Sequence, residues 1–408
     1  MGYASTVSIR QRLYPTEDQA AQLYRHCSDA RFIYNLGLEQ RNLWRKDRTA
    51  KISYLTQARE LAQARQASPW LKEGSSSVQQ QALRDLDIAF QNWWNGSHRK
   101  PRWRKAGQNE GFYIRDLSVS KLSHKQGEVL VPKAGWVRFR LTRSWTEIES
   151  SSSARVTLDR SGRWHVSFTA PQPGLKREPT EAVVGLDMGI ASTVTTSDGT
   201  KLHMPKLLSP GEAQRKRRLQ RKLARQKKGS NKRARTKLRL AKLSAKESDR
   251  RKDWIEKATT NLVRDYDFIA IEDLRVKNMV RSAKGTIEDP GKNVARKSGL
   301  NREIQSQAWS LFRKRLEDKA NASAVIVVAI DPKHTSQTCS ECKHCAAENR
   351  KSQAVFSCVV CGYTEHADIN AAKNILAAGL VVTGRRGTPH ALVHSGPVKR
   401  QLPTGSAA

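Results

Sequence analysis

Apolar and polar positions alternate over residues 6–13 (TVSIRQRL), where Val7, Ile9 and Leu13 share one parity, which predicts a half-buried strand. The period changes after Pro15. Pro15-Thr16-Glu17-Asp18 reads as a helix start, a cap followed by acids. Leu23, Cys27, Phe32, Ile33 and Leu36 then supply the apolar side of one or two helices. Further helices are predicted near 55–67 and 77–95, the second with Val78, Ala82, Leu86, Ala89, Phe90 and Trp93 on one stripe. Beyond a basic, aromatic link at 94–105 (WNGSHRKPRWRK), strands are expected over 129–141, 154–158 and 163–169. The last two are joined by the turn Asp159-Arg160-Ser161-Gly162.

From 183 strands and helices interleave. Val183–Asp187, 192–196 and a short segment after Asp198-Gly199 read as strands, and 211–265 as a helical hairpin broken at Gly229-Ser230-Asn231. Phe268–Glu272 and 324–330 (AVIVVAI) read as core strands on either side of a helix at 302–320. A short helix, Asn370 to Ala378, precedes an aperiodic tail rich in Gly and Pro, expected to be disordered over 379–408. The pattern is that of an α+β multidomain chain, and at about 100–200 residues per domain its length allows two to four.

Charge narrows the partners. The 408 residues carry 74 Lys+Arg against 38 Asp+Glu, a formal +36, where a free-standing domain carries roughly 2–8. Such a surplus repels itself and calls for a polyanion, of which nucleic acid is the commonest. A membrane is the rival, but the longest near-apolar stretch, Ala322–Ile330, is only strand-sized, and no leader pattern opens the chain. A cytoplasmic protein with no membrane partner is expected. Residues 215–252 hold 19 Lys/Arg and two acids, while Leu219, Leu223, Leu238, Ala241 and Ala245 keep a helical stripe. The candidate phosphate-binding cations are therefore Arg215, Lys216, Arg217, Arg218, Arg221, Lys222, Lys227, Lys228, Lys232, Arg233 and Arg235, with Arg102 and Arg104 from the aromatic link.

Five of six cysteines fall between 339 and 361. Cys339-x2-Cys342, fifteen intervening residues and Cys358-x2-Cys361 fit a four-thiolate Zn²⁺ template with no open position, hence a structural metal. Cys345 forms a second CxxC with Cys342, and His334 and His344 lie close by, so an alternative register stays open. Acids end two otherwise apolar runs, Asp187 in VVGLD and Glu272 in FIAIE, and Asp368 starts a helix just past the cysteines. Each alone reads as a solvated strand end or a helix cap. Together they read as a carboxylate site for a pair of Mg²⁺ ions that cleaves phosphodiesters.

In this order, GLDMGI, IEDL, TSQTCSEC (335–342), the second CxxC and DINAAKNI (368–375) resemble the TnpB family, transposon-encoded proteins related to the type V CRISPR effectors. RLYPTEDQ (12–19), ARFIYNLGL (30–38) and LVPKAGWVRFR (130–140) extend the resemblance over nearly the whole chain. The resemblance implies a β-barrel wedge domain (1–14 and 106–180) interrupted by a helical recognition domain (15–105). It also implies a RuvC-like, RNase H-type nuclease domain (181–335 and 363–378) with a zinc-binding, target-nucleic-acid-binding insert at 336–362. Matched residue by residue, Asp187, Glu272 and Asp368 take the places of the three catalytic acids. The implied activity is Mg²⁺-dependent, RNA-guided cleavage of double-stranded DNA beside a short flanking motif, by a monomer whose guide RNA comes from the transposon end. Two departures stand out: Lys343-His344-Cys345 follows Cys342 where Gly is common, and the last motif reads His366-Ala367-Asp368 where many members have HDRD. The alternatives are a miniature CRISPR effector, a non-cleaving RNA-guided repressor, and a strand-transferring transposase.

Overall fold

The computed structural model describes residues 6–44, 52–171 and 174–384. The chain divides into two compact units, Met1–Pro173 with Gln214–Ala245, and Gly174–Ala213 with Lys246–Ala408.

The first unit opens with β1 (Thr6–Tyr14) and α1 (Glu17–Asn42). Thr16 caps α1 in a capping box. Its hydroxyl accepts from the Gln19 N–H at 3.3 Å, and the Gln19 side chain accepts from the Thr16 N–H at 3.1 Å. The helix runs unbroken for 26 residues, so one helix forms where one or two were expected. α2 (Tyr54–Ala67), α3 (Pro69–Glu73) and α4 (Ser76–Trp94) follow. Then come β2 (Gly111–Ile114), β3 (Val119–Lys121), β4 (Gln126–Val131), β5 (Gly135–Arg140), α5 (Trp145–Glu149), β6 (Ser153–Leu158) and β7 (Trp164–Pro171). The single strand expected at 129–141 is a hairpin instead. Lys133 and Gly135 adopt left-handed backbone (φ 60° and 74°), which reverses the chain and pairs β4 with β5.

The seven strands lie in the order β2-β6-β7-β1-β5-β4-β3, with no ladder joining β2 to β3 among the described residues. The helices and this sheet share one core. Leu23, Ile33, Leu86 and Phe90 from the helices pack with Val137, Phe139 and Phe168 from the strands. The β6–β7 turn is held by Asp159, whose carboxylate accepts from the Ser161 and Arg163 N–H groups at 2.8 and 3.0 Å.

The rest of the chain supplies β8 (Val183–Asp187), β9 (Val194–Thr196), β10 (Lys201–Leu202), α6 (Pro210–Arg225), α7 (Asn231–Asp265), β11 (Phe268–Glu272) and α8 (Val276–Met279). It ends with α9 (Val294–Gln307), α10 (Trp309–Ala322), β12 (Ile326–Ile330), β13 (Val355–Ser357), β14 (Thr364–His366) and α11 (Ala367–Val382). The helix expected at 302–320 is two helices, because Ala308 turns left-handed (φ 55°) and separates α9 from α10. α11 also outruns expectation. It continues to Val382, four residues into the supposed tail, and 385–408 lie outside the described residues.

The second unit's main sheet has the order β10-β9-β8-β11-β12, with β8, β11 and β12 parallel and β9 and β10 antiparallel. Parity splits β11 between two faces. Ile269 and Ile271 join a core with Ile255, Leu262, Phe312 and Leu316 from α7 and α10. Phe268 and Ala270 join another with Ile330 and Ile375 of α11. A strand covered on both faces reads as an apolar run, as β11 does.

Two glycines set how closely α11 lies on this sheet. A Cβ on Gly185 of β8 would meet the Ala372 carbonyl oxygen at 2.1 Å and the Leu376 nitrogen at 2.7 Å. A Cβ on Gly379 of α11 would meet the Ala270 Cβ at 2.6 Å. Gly185→Ala is therefore expected to lower stability by about 1–3 kcal/mol. Gly211→Ala, in the first turn of α6 with open space around it, is expected to be neutral or mildly stabilising. Urea denaturation of the two variants checks the contrast.

Candidate active site and metal centre

β8 and β11 are paired in register, Leu186 opposite Ile271, so the next residues, Asp187 and Glu272, emerge at the same edge of the sheet. That edge is the carboxyl end of parallel strands, where α/β sheets place their ligand sites. Asp368 arrives from far along the chain in the first turn of α11, whose N-cap is His366; the Asp368 N–H donates to His366 Nδ1 at 3.3 Å. The structure thus brings the three acids together.

Their electrostatics show it. Burial, then the carboxylates of Glu272 and Asp368, push the Asp187 carboxyl up to about 8, against a smaller opposing pull from Arg350. Burial pushes Glu272 up to about 7, although the Thr335 hydroxyl donates to its Oε1 at 3.0 Å and opposes the shift. Such groups are costly to ionise side by side unless a cation sits with them. The donor set fits one: acids from three elements on one edge, all hard oxygen ligands. Among the described residues, however, they do not close to within 4.8 Å of one another as the cysteines do.

Two neighbours escaped the sequence reading. Arg350, from the loop between the cysteine pairs, lies 3.7 Å from Asp368 Oδ1. Trp309, at the start of α10, lines a recess beside Glu272 with Met188, Leu274 and Val276, and its buried indole N–H has no hydrogen-bond partner among the described residues. Nothing in the local spacing marked either residue.

The cysteine register is resolved by geometry. Cys339, Cys342, Cys358 and Cys361 have all their sulfurs within 4.8 Å of one another, with Cys339 and Cys361 Sγ 3.7 Å apart and Cys342 and Cys358 Sγ 3.5 Å apart. Cys345, His334 and His344 stand outside the group. Cys345 instead forms a bridge with Thr338, and the His344 carbonyl accepts from the Cys339 N–H. The Cys361 and Val360 N–H groups donate to the Cys358 sulfur and favour its thiolate, the form a metal requires.

The basic residues separate into two groups. Arg215, Arg217, Arg218, Arg221, Lys222, Lys227, Lys228, Lys232, Arg235 and Arg102 are exposed, and Lys216 is half-buried. Arg233 is occupied. Its guanidinium donates to the carbonyls of Leu223 and Gln226 and so closes the turn between α6 and α7. Arg104 is likewise a packing residue, 3.1 Å from Asp85 and 3.8 Å over the Tyr34 ring. Trp93 packs against the core, whereas Trp94 and Trp103 are 64% and 50% exposed.

The cysteine geometry makes a measurable distinction. Cys358→Ser is expected to remove the bound metal and lower the melting temperature, while Cys345→Ser retains the full metal complement. Elemental analysis of the purified chains checks both.

Comparison with known proteins agrees with the motifs. Residues 156–283 match the OrfB IS605 family, described as "Probable transposase", 309–375 match the "Cas12f1-like, TNB domain", and 6–49 a "Helix-turn-helix domain". The chain is 36% identical to the "Putative RNA-guided DNA endonuclease InsQ" of Escherichia coli strain K12 over 97% of both chains. It is 32% identical to a "Putative RNA-guided DNA endonuclease" of Streptomyces pristinaespiralis, over 92% of this chain and 90% of that one. In fold it is similar to Cas12f1 in a complex with sgRNA and target DNA, with a TM-score of 0.53 and 13% identity over 88% and 83% of the two chains. The expected resemblance therefore stands, and the chain belongs to the OrfB IS605 family of TnpB-like proteins.

Proposed function

We propose that this protein is an RNA-guided DNA endonuclease encoded by a transposable element, with Asp187, Glu272 and Asp368 as its catalytic acids. The observation that carries the chemistry is the convergence of these acids, with Asp187 held up at about 8 by burial and by the other two. The names of the relatives with full-length similarity support the reaction class. The order β10-β9-β8-β11-β12 supports a RuvC-like domain of the RNase H type over 181–335 and 363–378, and the seven-stranded sheet supports a wedge around a recognition region at 15–105.

Asp187, Glu272 and Asp368 would hold Mg²⁺, which when bound supplies an activated water and offsets charge on the scissile phosphate. The chain's own residues do the rest. The paired ends of β8 and β11 fix two carboxylates at one level, and the first turn of α11 delivers the third. Arg350 places a guanidinium beside them, where negative charge develops on a phosphoryl group. The four cysteines would hold Zn²⁺ in the insert at 336–362. Their Sγ separations of 3.7 and 3.5 Å approach the edge of about 3.8 Å that Zn–S bonds of about 2.3 Å give a tetrahedron. With four thiolates the shell is closed, so this metal is structural.

The partners follow from the charge. Guide RNA from the transposon end reads the target by base pairing, so the protein needs backbone contacts more than base-reading side chains. The exposed cations of α6 and the start of α7 supply them, and one site cuts both strands of duplex DNA in turn. A monomer in the cytoplasm suffices, and no helix among the described residues is long and apolar enough to cross a membrane. A second reading, a miniature CRISPR effector, draws on the 38% identity over 96 residues to Cas12f1 of Sulfoacidibacillus thermotolerans. A repeat array beside the gene would favour it, and a transposon end would favour the first.

The test is to purify the chain with its bound RNA, sequence that RNA and challenge a matched plasmid library in Mg²⁺. Cutting is expected, and Asp187→Ala should reduce it by at least about two orders of magnitude while RNA binding is retained. Undiminished cutting by Asp187→Ala, or a chain without discrete RNA, would contradict the proposal.

A further inference from the structure

We propose that Thr335 is a positioning residue that holds Glu272 for the catalytic metal, and that the four-cysteine knuckle serves to hold Thr335. The proposal rests on the assignment of Asp187, Glu272 and Asp368 as metal-binding acids.

Glu272 is 8% exposed, and the Thr335 hydroxyl donates to its Oε1 at 3.0 Å. The same hydroxyl lies 3.0 Å from the Pro332 carbonyl. A hydroxyl has one proton for these two acceptors, so its rotor can serve Glu272 whenever that carboxylate is ionised. An aliphatic side chain at 335 would cover Glu272 equally well. Only the hydroxyl can orient it.

The backbone around Thr335 is fixed by two buried asparagines, one turn apart on α11, the helix that also carries Asp368. Asn374 Nδ2 donates to the Thr335 and Thr338 carbonyls at 3.0 and 2.6 Å. Asn370 Nδ2 donates to the Thr338 carbonyl at 2.8 Å, and its Oδ1 accepts from the Ser340 N–H at 2.9 Å. On the far side, Asn349 Nδ2 donates to the Gln337 and His344 carbonyls at 2.9 and 3.1 Å, and its Oδ1 accepts from the Val359 N–H at 3.0 Å. That last residue ties the first cysteine turn to the second. Segment 335–340 is thus bolted to α11 on one side and to the knuckle on the other. Buried amides of this kind leave no slack, because a shift orphans several polar groups at once. Hydrogen bonds hold the Thr335 carbonyl from α11 and the neighbouring Gln337 carbonyl from the knuckle, the Thr335 hydroxyl reaches on to Glu272, and α11 also carries Asp368.

Groups that orient a metal ligand from outside typically account for 10–100-fold in metal affinity or activity. Thr335→Val removes the hydroxyl and keeps the shape, and Thr335→Ser restores the hydroxyl. Mn²⁺ binding to the full chain with its RNA is read from the free-ion electron paramagnetic resonance signal, with the component lost in Asp187→Ala assigned to the acids. Thr335→Val is expected to weaken that component about 10–100-fold, with unchanged zinc content and a melting temperature near that of the parent. Cleavage should fall at limiting Mn²⁺ and recover at high Mn²⁺. Thr335→Ser should restore both, and Asn374→Leu should weaken Mn²⁺ binding with Thr335 intact. Parental Mn²⁺ affinity in Thr335→Val, or a loss that Thr335→Ser does not restore, overturns the proposal while leaving the catalytic acids in place. No Mn²⁺ component dependent on Asp187 overturns the acid assignment and this inference together. Should Thr335→Val fail to fold, Asn374→Leu and Thr335→Ala decide by the same measurement.

Discussion

The site depends on how closely one helix can approach one strand. α11 lies on β8 with its backbone where a side chain at residue 185 would be, which is possible only because that residue is glycine. The contact fixes the depth of α11, and with it the position of Asp368 in the first turn, against a sheet edge that already carries Asp187 and Glu272. Gly379 repeats the arrangement one to two turns further along, where Ala270 leaves room. Interiors are packed too tightly for such a helix to settle elsewhere. A small change in one strand would therefore be felt at a carboxylate 183 residues away in sequence.

Charge is distributed in the opposite sense from apolar surface. Basic residues crowd the exposed faces of α6 and the first half of α7, whereas the candidate acids Asp187, Glu272 and Asp368 are buried or half-buried. Acids are not needed for solubility in a chain of +36, and burial makes the ionisation of Asp187 and Glu272 costly. Both features suit a protein that holds a polyanion along its surface and cuts it at one recessed point. Not every cation belongs to that surface. Arg233 and Arg104 are committed to carbonyls and a carboxylate within the fold, which composition could not distinguish from Arg235 or Arg102.

Periodicity located nearly every long element, because strand and helix periods follow from which face is covered. Phe268–Glu272 was legible to the residue since a strand buried on both sides has no polar position until it emerges. The misreadings fall where backbone conformation departed from the default in residues that do not announce it. Lys133 and Ala308 both take positive φ without being glycine, so a hairpin read as a strand and two helices read as one. The tail began too early because the stretch from 379 is rich in Gly and Pro without periodicity, yet Gly379 belongs to α11 and packs on Ala270.

The candidate site was legible in part. Its acids were visible because an ionisable residue ending an apolar run is costly and therefore noticeable, and the cysteines because paired thiolates need fixed spacing. The sequence pointed to Cys339, Cys342, Cys358 and Cys361, the four that meet, but because Cys342 belongs to two overlapping CxxC pairs only the geometry set Cys345 aside. Beyond the sequence was the part played by Arg350, Thr335, Asn370 and Asn374, whose partners lie in other elements. The sequence by itself determined most of the long elements, the chemistry of the donors and the expectation of a polyanionic partner, because these depend on local period, residue type and summed charge. The tertiary structure decided which donors meet and what holds them in place, because those relations depend on strand register, on the depth of a helix over a glycine, and on hydrogen bonds between segments remote in the chain.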